Sequence, residues 1–379
     1  MTEKLYDKDS FLKEFTATVL ECEQYHDNWS VLLDKTAFFP EAGGQKSDKG
    51  TLDNASVLDV QIADEKIYHI TDCPLPVGET VTGVIDFNRR FDFMQQHSAE
   101  HIVSGIAHSL YGCENVGFHL SKDIVTLDFQ KHLTEEQLTK MELIANEKVF
   151  QNVAFNCYYP DSETLKSLNY RSKKELEGAV RIVEIENTDM CACCAPHVKT
   201  AGQIGLIKLL ATEKLRGGIR IELKAGKRAL EDYNDKYLNI RQISTLLATS
   251  QNETAEAVNR LLNTLNEQKA ELNFIKLEKL KSKAENFAPE SDISLMFEDN
   301  LSVKDLQVLA DTLHKTHRGI RGVMSETDNG FLFCICGENT LDEFFQKFKS
   351  AFNVKGGGRN GMVQGTVFAN KNELEAFFK

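Results

Sequence analysis

The segment His97-Ser-Ala-Glu-His101 places two imidazoles four residues apart. On an α-helix that spacing puts both on one face, a turn apart, so both can reach a single ion. A second segment, Cys191-Ala-Cys-Cys-Ala-Pro-His197, holds Cys193 and His197 with three residues between them in a tight, proline-containing loop. A thiolate and an imidazole so placed complete a Cys/His3 tetrahedral set with the helical pair. Zinc suits that set, being a borderline-soft ion that takes N and S ligands without redox chemistry. Cys193 gives the three-residue spacing, and Cys191 and Cys194 are the alternative thiolates. The first segment also matches H-x-x-E-H, an inverted zinc-peptidase pattern in which Glu100 would be the general base. That reading needs a distant Glu as third ligand and leaves Cys193 and His197 without a use. A thiolate ligand also reduces the acidity of zinc, which does not help a peptidase water.

The remaining elements must hold these groups in place. Residues 1–88 carry short alternating runs, such as Phe15–Leu20 and Val57–Ile62, separated by Gly and Asp turn signals. They predict a β-rich, barrel-like N-terminal domain. Residues 89–225 predict an α/β domain that contains the zinc set. Within it Phe91–Tyr111 is expected to be helical, with Phe93, Ile102, Ile106 and Leu110 at helical spacing and Gly112 as its stop. Ile124–Phe129 predicts a strand, and Thr134-Glu-Glu-Gln137 is a capping-box pattern that opens a helix. Ala179–Ile185 and Ile219–Leu223 predict further strands. Residues 226–287 lack proline and predict a helical, coiled-coil-like connector with a break near Thr249–Asn252. Val258, Leu261, Leu265, Leu272 and Ile275 follow a partial heptad there, interrupted by Gln268. Residues 288–379 alternate strand-like and helical runs and predict a small C-terminal α/β domain with a glycine cluster, Gly356–Gly361. The fold class expected is α+β.

In this order the motifs resemble the free-standing alanyl-tRNA editing proteins of the AlaX type, in their longer form, which are related to the editing domain of alanyl-tRNA synthetase. The matching residues are His97-x-x-x-His101, Cys193-x-x-x-His197-Val198 followed by Thr200-Ala-Gly-Gln-Ile-Gly205, Gly217-Gly-Ile-Arg-Ile-Glu222, and the glycine-rich Phe38-Phe-Pro-Glu-Ala-Gly-Gly-Gln-Lys-Ser-Asp-Lys-Gly50. Gly356-Gly-Gly-Arg359 with Met362-Val-Gln-Gly365 looks like a DHHA1-type domain, which family members use to contact tRNA and to dimerise. It is no Walker A loop, since no Gly-Lys-Ser/Thr follows. There are departures: Cys194-Ala-Pro precedes His197 where Gly-Gly and Thr are common, Ala42 and Lys46 replace a Gly and a Pro, and Glu100 is acidic where a neutral residue is usual.

The resemblance implies a trans-editing hydrolase that deacylates seryl- or glycyl-tRNA(Ala), with zinc as cofactor, tRNA as partner and a homodimer through the C-terminal domain. His97, His101, Gln45 and Glu100 are the catalytic candidates. Gln45 is expected to orient substrate or to make a turn hydrogen bond. Glu100 could serve as a general base or as a brake on the pocket's charge, but it need not face the metal and is expected to be an exposed helix residue. Thr36, Gly43, Gly44, His119 and Ser121 are candidates for the pocket. Arg216 and Arg220 are candidate phosphate contacts, and Gly357 and Arg359 in the C-terminal domain are candidates for substrate binding. A zinc-stabilised, non-catalytic tRNA-binding protein would share the same ligands.

A net charge of −13 does not announce a nucleic-acid binder. Between Lys199 and Arg241, however, ten basic residues face five acidic ones, a local excess that a whole-chain sum conceals. The charged start MTEKLYDKDS predicts no signal peptide, no run approaches a membrane helix, and a cytoplasmic protein is expected. The odd count of nine cysteines argues for thiols rather than disulfides. Cys22, Cys73, Cys113 and Cys157 are expected as small hydrophobes, and Cys334 and Cys336 as strand-core residues.

Overall fold

The computed structural model describes residues 2–122, 124–172 and 179–379. It divides into two compact units, Met1–Ile240 and Arg241–Lys379, and the seam falls within the helix Gly226–Leu246. The architecture is mixed α+β with several sheets.

In the first unit, strands Glu14–Tyr25, Asn28–Leu33, Gly50–Leu52, Ala55–Ala63, Lys66–Thr71 and Thr80–Ile85 close into a six-stranded barrel. Alternation along Phe15, Ala17 and Val19 turns them inward, and a register shift between Val57 and Asp59 lets Val57 and Val60 join Ile67 and Val81 in the same core. Asp86 then caps the helix Phe87–Tyr111 by accepting from the Arg89 backbone N–H at 3.2 Å, and Gly112 ends it in the left-handed region at φ 53°. The helix begins four residues before the expected Phe91, because the Asp86 cap sets the start. Leu110, expected on its apolar face, is 44% exposed.

This central helix is the axis of the second core. Against it packs an antiparallel sheet whose strand order is Ile207–Leu215, Gly218–Ala225, Val125–Phe129 and Asn115–Leu120. Gln96 pins helix to sheet, accepting from the Ala225 N–H at 2.8 Å and donating to the Ala225 carbonyl at 2.9 Å. The helix Glu135–Gln151 opens with the expected capping box at Thr134 and Gln137. A three-stranded sheet of Phe155–Tyr158, Ile182–Ile185 and Asp189–Ala192 completes the core. Cys193 packs against this core and against the barrel core, and Ala195 is buried in the barrel core. The cysteine loop therefore lies where the two cores meet.

In the second unit, the helix Thr254–Glu285 follows a break at Thr249–Glu253. Its heptad residues Val258, Leu261, Leu265, Leu272 and Ile275 are exposed, whereas Ala257, Leu280 and Ala284 are buried. A five-stranded sheet follows, in the order Ile293–Phe297, Ile320–Thr327, Gly330–Cys336, Met362–Phe368, Asn353–Arg359. Cys334 and Cys336 are buried in it. The glycine cluster is not a succession of sharp turns: Gly356, Gly357 and Gly358 lie in the edge strand, and the chain reverses only at Asn360 and Gly361, φ 56° and 79°. Among the described residues no helix is long and apolar enough to cross a membrane.

Candidate metal centre

The central helix presents His97 and His101, and the loop after the strand Asp189–Ala192 brings Cys193 and His197 to them. One donor atom from each of the four lies within 4.8 Å of every other. Cys193 Sγ is 3.6 Å from His97 Nε2 and 3.4 Å from His197 Nε2. Burial raises the Cys193 thiol, but the adjoining His97 and His197 outweigh it and hold the thiol well below its ordinary range. His197 is driven the other way, to about 3, mainly by burial, so its ring is neutral.

Each imidazole is turned by a partner at its other nitrogen. His97 Nδ1 donates to Gln45 Oε1 at 2.9 Å, since a carbonyl oxygen only accepts. His197 Nδ1 lies 3.1 Å from Ser98 Oγ, which also accepts from the Val198 N–H at 3.2 Å. His101 Nδ1 lies 2.6 Å from Cys191 Sγ and 3.6 Å from Asp189 Oδ2. His101 Nε2 is buried and has no hydrogen-bond partner among the described residues. A buried nitrogen lone pair costs free energy unless something accepts it. Three imidazoles, one low-lying thiol and an orphaned nitrogen thus form a donor set that fits a borderline-soft cation.

The glycine-rich segment serves this centre. Gly43 and Gly44 form a turn at φ 59° and 80°, and a Cβ on Gly44 would lie 2.4 Å from the Phe118 carbonyl. Glycine lets the turn reach the strand Asn115–Leu120, where Leu120 N–H donates to the Gly44 carbonyl at 2.8 Å. Gln45 is thereby carried to His97, and its Nε2 is buried without a partner among the described residues. Behind the turn, Arg90 is fully buried, bound to Asp48 and donating to the carbonyls of Ala37 at 2.6 Å and Ser10 at 3.1 Å. Arg181 donates to the carbonyls of Cys193 at 3.0 Å and Ala195 at 2.8 Å, fixing the cysteine loop.

Several sequence expectations fall elsewhere. Glu100 is not exposed: it is 3% accessible and accepts from Ser104 Oγ at 2.8 Å and Asn115 Nδ2 at 2.6 Å. Its Oε2 lies 3.7 Å from His101 Nε2. Thr36 is used inside the barrel, between His69 Nε2 at 2.8 Å and the Phe38 N–H at 3.1 Å. Phe118, not His119, adjoins the cluster: its ring centroid is 4.6 Å from that of His97, while His119 is exposed. Ser121 closes a local turn with Ile124. Arg216 is exposed at the hairpin turn with Gly217, and Arg220 is paired with Asp128. Gly357 and Arg359 belong to the other unit.

Sequence reasoning missed Asp189, Arg171, Ser98, Arg90 and Arg181. Ser98 could have been found from its place beside His97; nothing local marks the others. A cleft of about 640 Å³ borders Asp189, with His108, Asn115, Tyr170 and Arg171 among its walls.

Residues 180–222 match the threonyl and alanyl tRNA synthetase second additional domain, and residues 6–89 match class II (A) tRNA synthetases. The alanyl-tRNA editing protein Aarsd1-A of Xenopus laevis is 30% identical, over 92% of this chain and 86% of its own. The chain belongs to the alanyl-tRNA editing protein family. Aarsd1 of Danio rerio is 27% identical over 98% of this chain and 96% of its own. An alanine–tRNA ligase of Pyrococcus furiosus is 30% identical over the whole of this chain, which spans 43% of the ligase. Both matched segments bear on the site: the first contains Cys193 and His197, the second the glycine-rich turn and Gln45.

Proposed function

We propose that this chain is a trans-editing deacylase that hydrolyses the ester between a seryl or glycyl group and the 3′-terminal ribose of tRNA(Ala). What carries the reading is the convergence of three imidazoles on one thiol in a chain of the editing family. Zinc is the metal proposed, held by His97, His101, Cys193 and His197. It would supply a Lewis-acid centre able to polarise the ester carbonyl or orient a water.

An aminoacyl ester is already activated, so the protein's own task is mainly positioning. Gln45 holds His97 through Oε1, which leaves its buried Nε2–H to donate to the substrate. Glu100 sets the charge beside His101, and its burial favours that role over general base. This also speaks against the peptidase reading, which would leave Cys193 and His197 idle. Phe118 offers an apolar wall beside His97. Arg216, exposed on its hairpin, contacts tRNA phosphate. Arg220 adds a weaker contribution because Asp128 shares its charge.

In this reading residues 1–88 frame the pocket from the barrel side and residues 89–225 form the editing domain. Residues 226–287 connect them to a DHHA1-like domain, 288–379, which contacts tRNA through Gly357 and Arg359 and forms a homodimer. Reduced thiols at the metal suit the cytoplasm. The test is deacylation of seryl-tRNA(Ala) against alanyl-tRNA(Ala). Loss of serine with alanine spared, abolished by Cys193→Ala, is expected. Zinc-loaded protein that binds tRNA but hydrolyses neither ester would establish a non-catalytic binder instead.

A further inference from the structure

We infer that Asp189, clamped by Arg171, is a positioning residue for the metal centre: its charge beside His101 Nδ1 favours the tautomer with the proton on that nitrogen and leaves Nε2 as the ligand atom. This rests on the proposed metal site, not on the proposed substrate. The other two histidines have neutral oxygen partners, Gln45 and Ser98. Among the described residues His101 faces two carboxylates, Asp189 at 3.6 Å from Nδ1 and Glu100 at 3.7 Å from Nε2. Partners of this kind set the tautomer and ring orientation of a metal-binding histidine.

The carboxylate is itself fixed. Arg171 donates Nε to Oδ1 and Nη2 to Oδ2 of Asp189, both at 2.7 Å, and the Asp189 side chain is 3% exposed. The Arg171 backbone is bound to the same segment, donating to the Met190 carbonyl at 2.8 Å and accepting from the Ala192 N–H at 3.0 Å. Guanidinium and carboxylate therefore share one frame. Gly105, one turn beyond His101, admits that frame to the helix: a Cβ there would lie 2.6 Å from Asp189 Cβ and 2.7 Å from the Thr188 carbonyl. Without glycine, Asp189 would be pushed from His101.

Two other uses of these groups are weaker. His101, Asp189 and Cys191 could be read as a second metal site. That would require His101 to bind two ions as an imidazolate, beside an arginine that already occupies both oxygens of Asp189. Cys191 Sγ lies nearer to Nδ1, at 2.6 Å, but sulfur is a weak acceptor and a carboxylate a strong one.

The test uses the full chain with zinc and, separately, cobalt(II), comparing wild type with Asp189→Ala, Asp189→Asn, Gly105→Ala and Cys191→Ala. Zinc affinity is read by chelator competition, ligand geometry by the cobalt absorption bands, and the His101 tautomer by nitrogen shifts of the zinc form. Asp189→Ala is expected to weaken zinc binding about 10–100-fold and to move the cobalt bands. Asp189→Asn, which keeps an acceptor of the same shape, should recover most of the loss, and Gly105→Ala should reproduce it in part. Cys191→Ala should cost less than Asp189→Ala. Unchanged affinity and bands in Asp189→Ala would overturn the inference. So would two zinc ions per wild-type chain with one lost in Asp189→Ala. Zinc binding that depends on Asp189 in a protein without deacylase activity would leave the inference standing while the proposed function fell.

Discussion

His69 and His197 are both buried and both held neutral, the first at about 4 and the second at about 3, in each case mainly by burial. Their surroundings differ. In the barrel, His69 Nδ1 donates to the Val31 carbonyl at 3.1 Å, and Nε2 accepts from Thr36 Oγ1 at 2.8 Å. Every polar atom of that ring is spent on the fold. At the cluster, His197 spends Nδ1 on Ser98 and turns Nε2 toward the Cys193 thiol. Burial and neutrality alone therefore do not distinguish a ligand from a core residue. What does is a lone pair that the fold leaves facing other lone pairs.

The largest effects are expected at the cluster. Cys193→Ala or His197→Ala should reduce deacylation by more than about a hundredfold, because even outer partners of metal ligands are worth about 10–100-fold. Metal analysis should show zinc lost in the same variants, whereas His69→Gln should retain it. A second contrast lies in pH. Below about 6.5 the unfolded chain protonates His69, while the folded ring resists until about 4. Stability should then fall as pH drops through that window, by up to about 3 kcal/mol. Denaturant titrations at several pH values should show this loss in wild type and a flatter profile in His69→Gln.

How much of this was legible depended on how far apart in sequence the cooperating groups lie. The two ligand pairs were visible because each is local, a helical turn in one case and a short loop in the other. The capping box at Thr134 and the strand alternation of the barrel were local too. Glu100 was misjudged because amphipathic reasoning assumes an exposed face, and this helix has none between Phe93 and Ala107, all of which are buried. His119 was named for the pocket, and Phe118 was not, because strand phase cannot be set until the Gly44 turn fixes which face meets the helix. Arg171, Asp189 and Arg90 gain their roles only through tertiary contact. In the C-terminal domain, the glycine cluster was visible as a motif, but its place in an edge strand depends on pairing with Met362–Phe368.

A milder effect is expected at Gln45, which orients His97 as Thr36 satisfies His69. Gln45→Ala should weaken zinc binding about tenfold, in the range for such partners, with chelator competition as the readout. The smallest effect expected is that of Arg216→Ala. If it contacts one phosphate, the slope of log affinity for tRNA against log salt should drop by about 1, with no change in zinc content.

The most direct test of the account is to strip the full chain with a chelator and titrate zinc back while following seryl-tRNA(Ala) deacylation. An inactive apoprotein is expected, with activity that rises linearly and breaks at one zinc per chain. Full activity in the metal-free protein would contradict it.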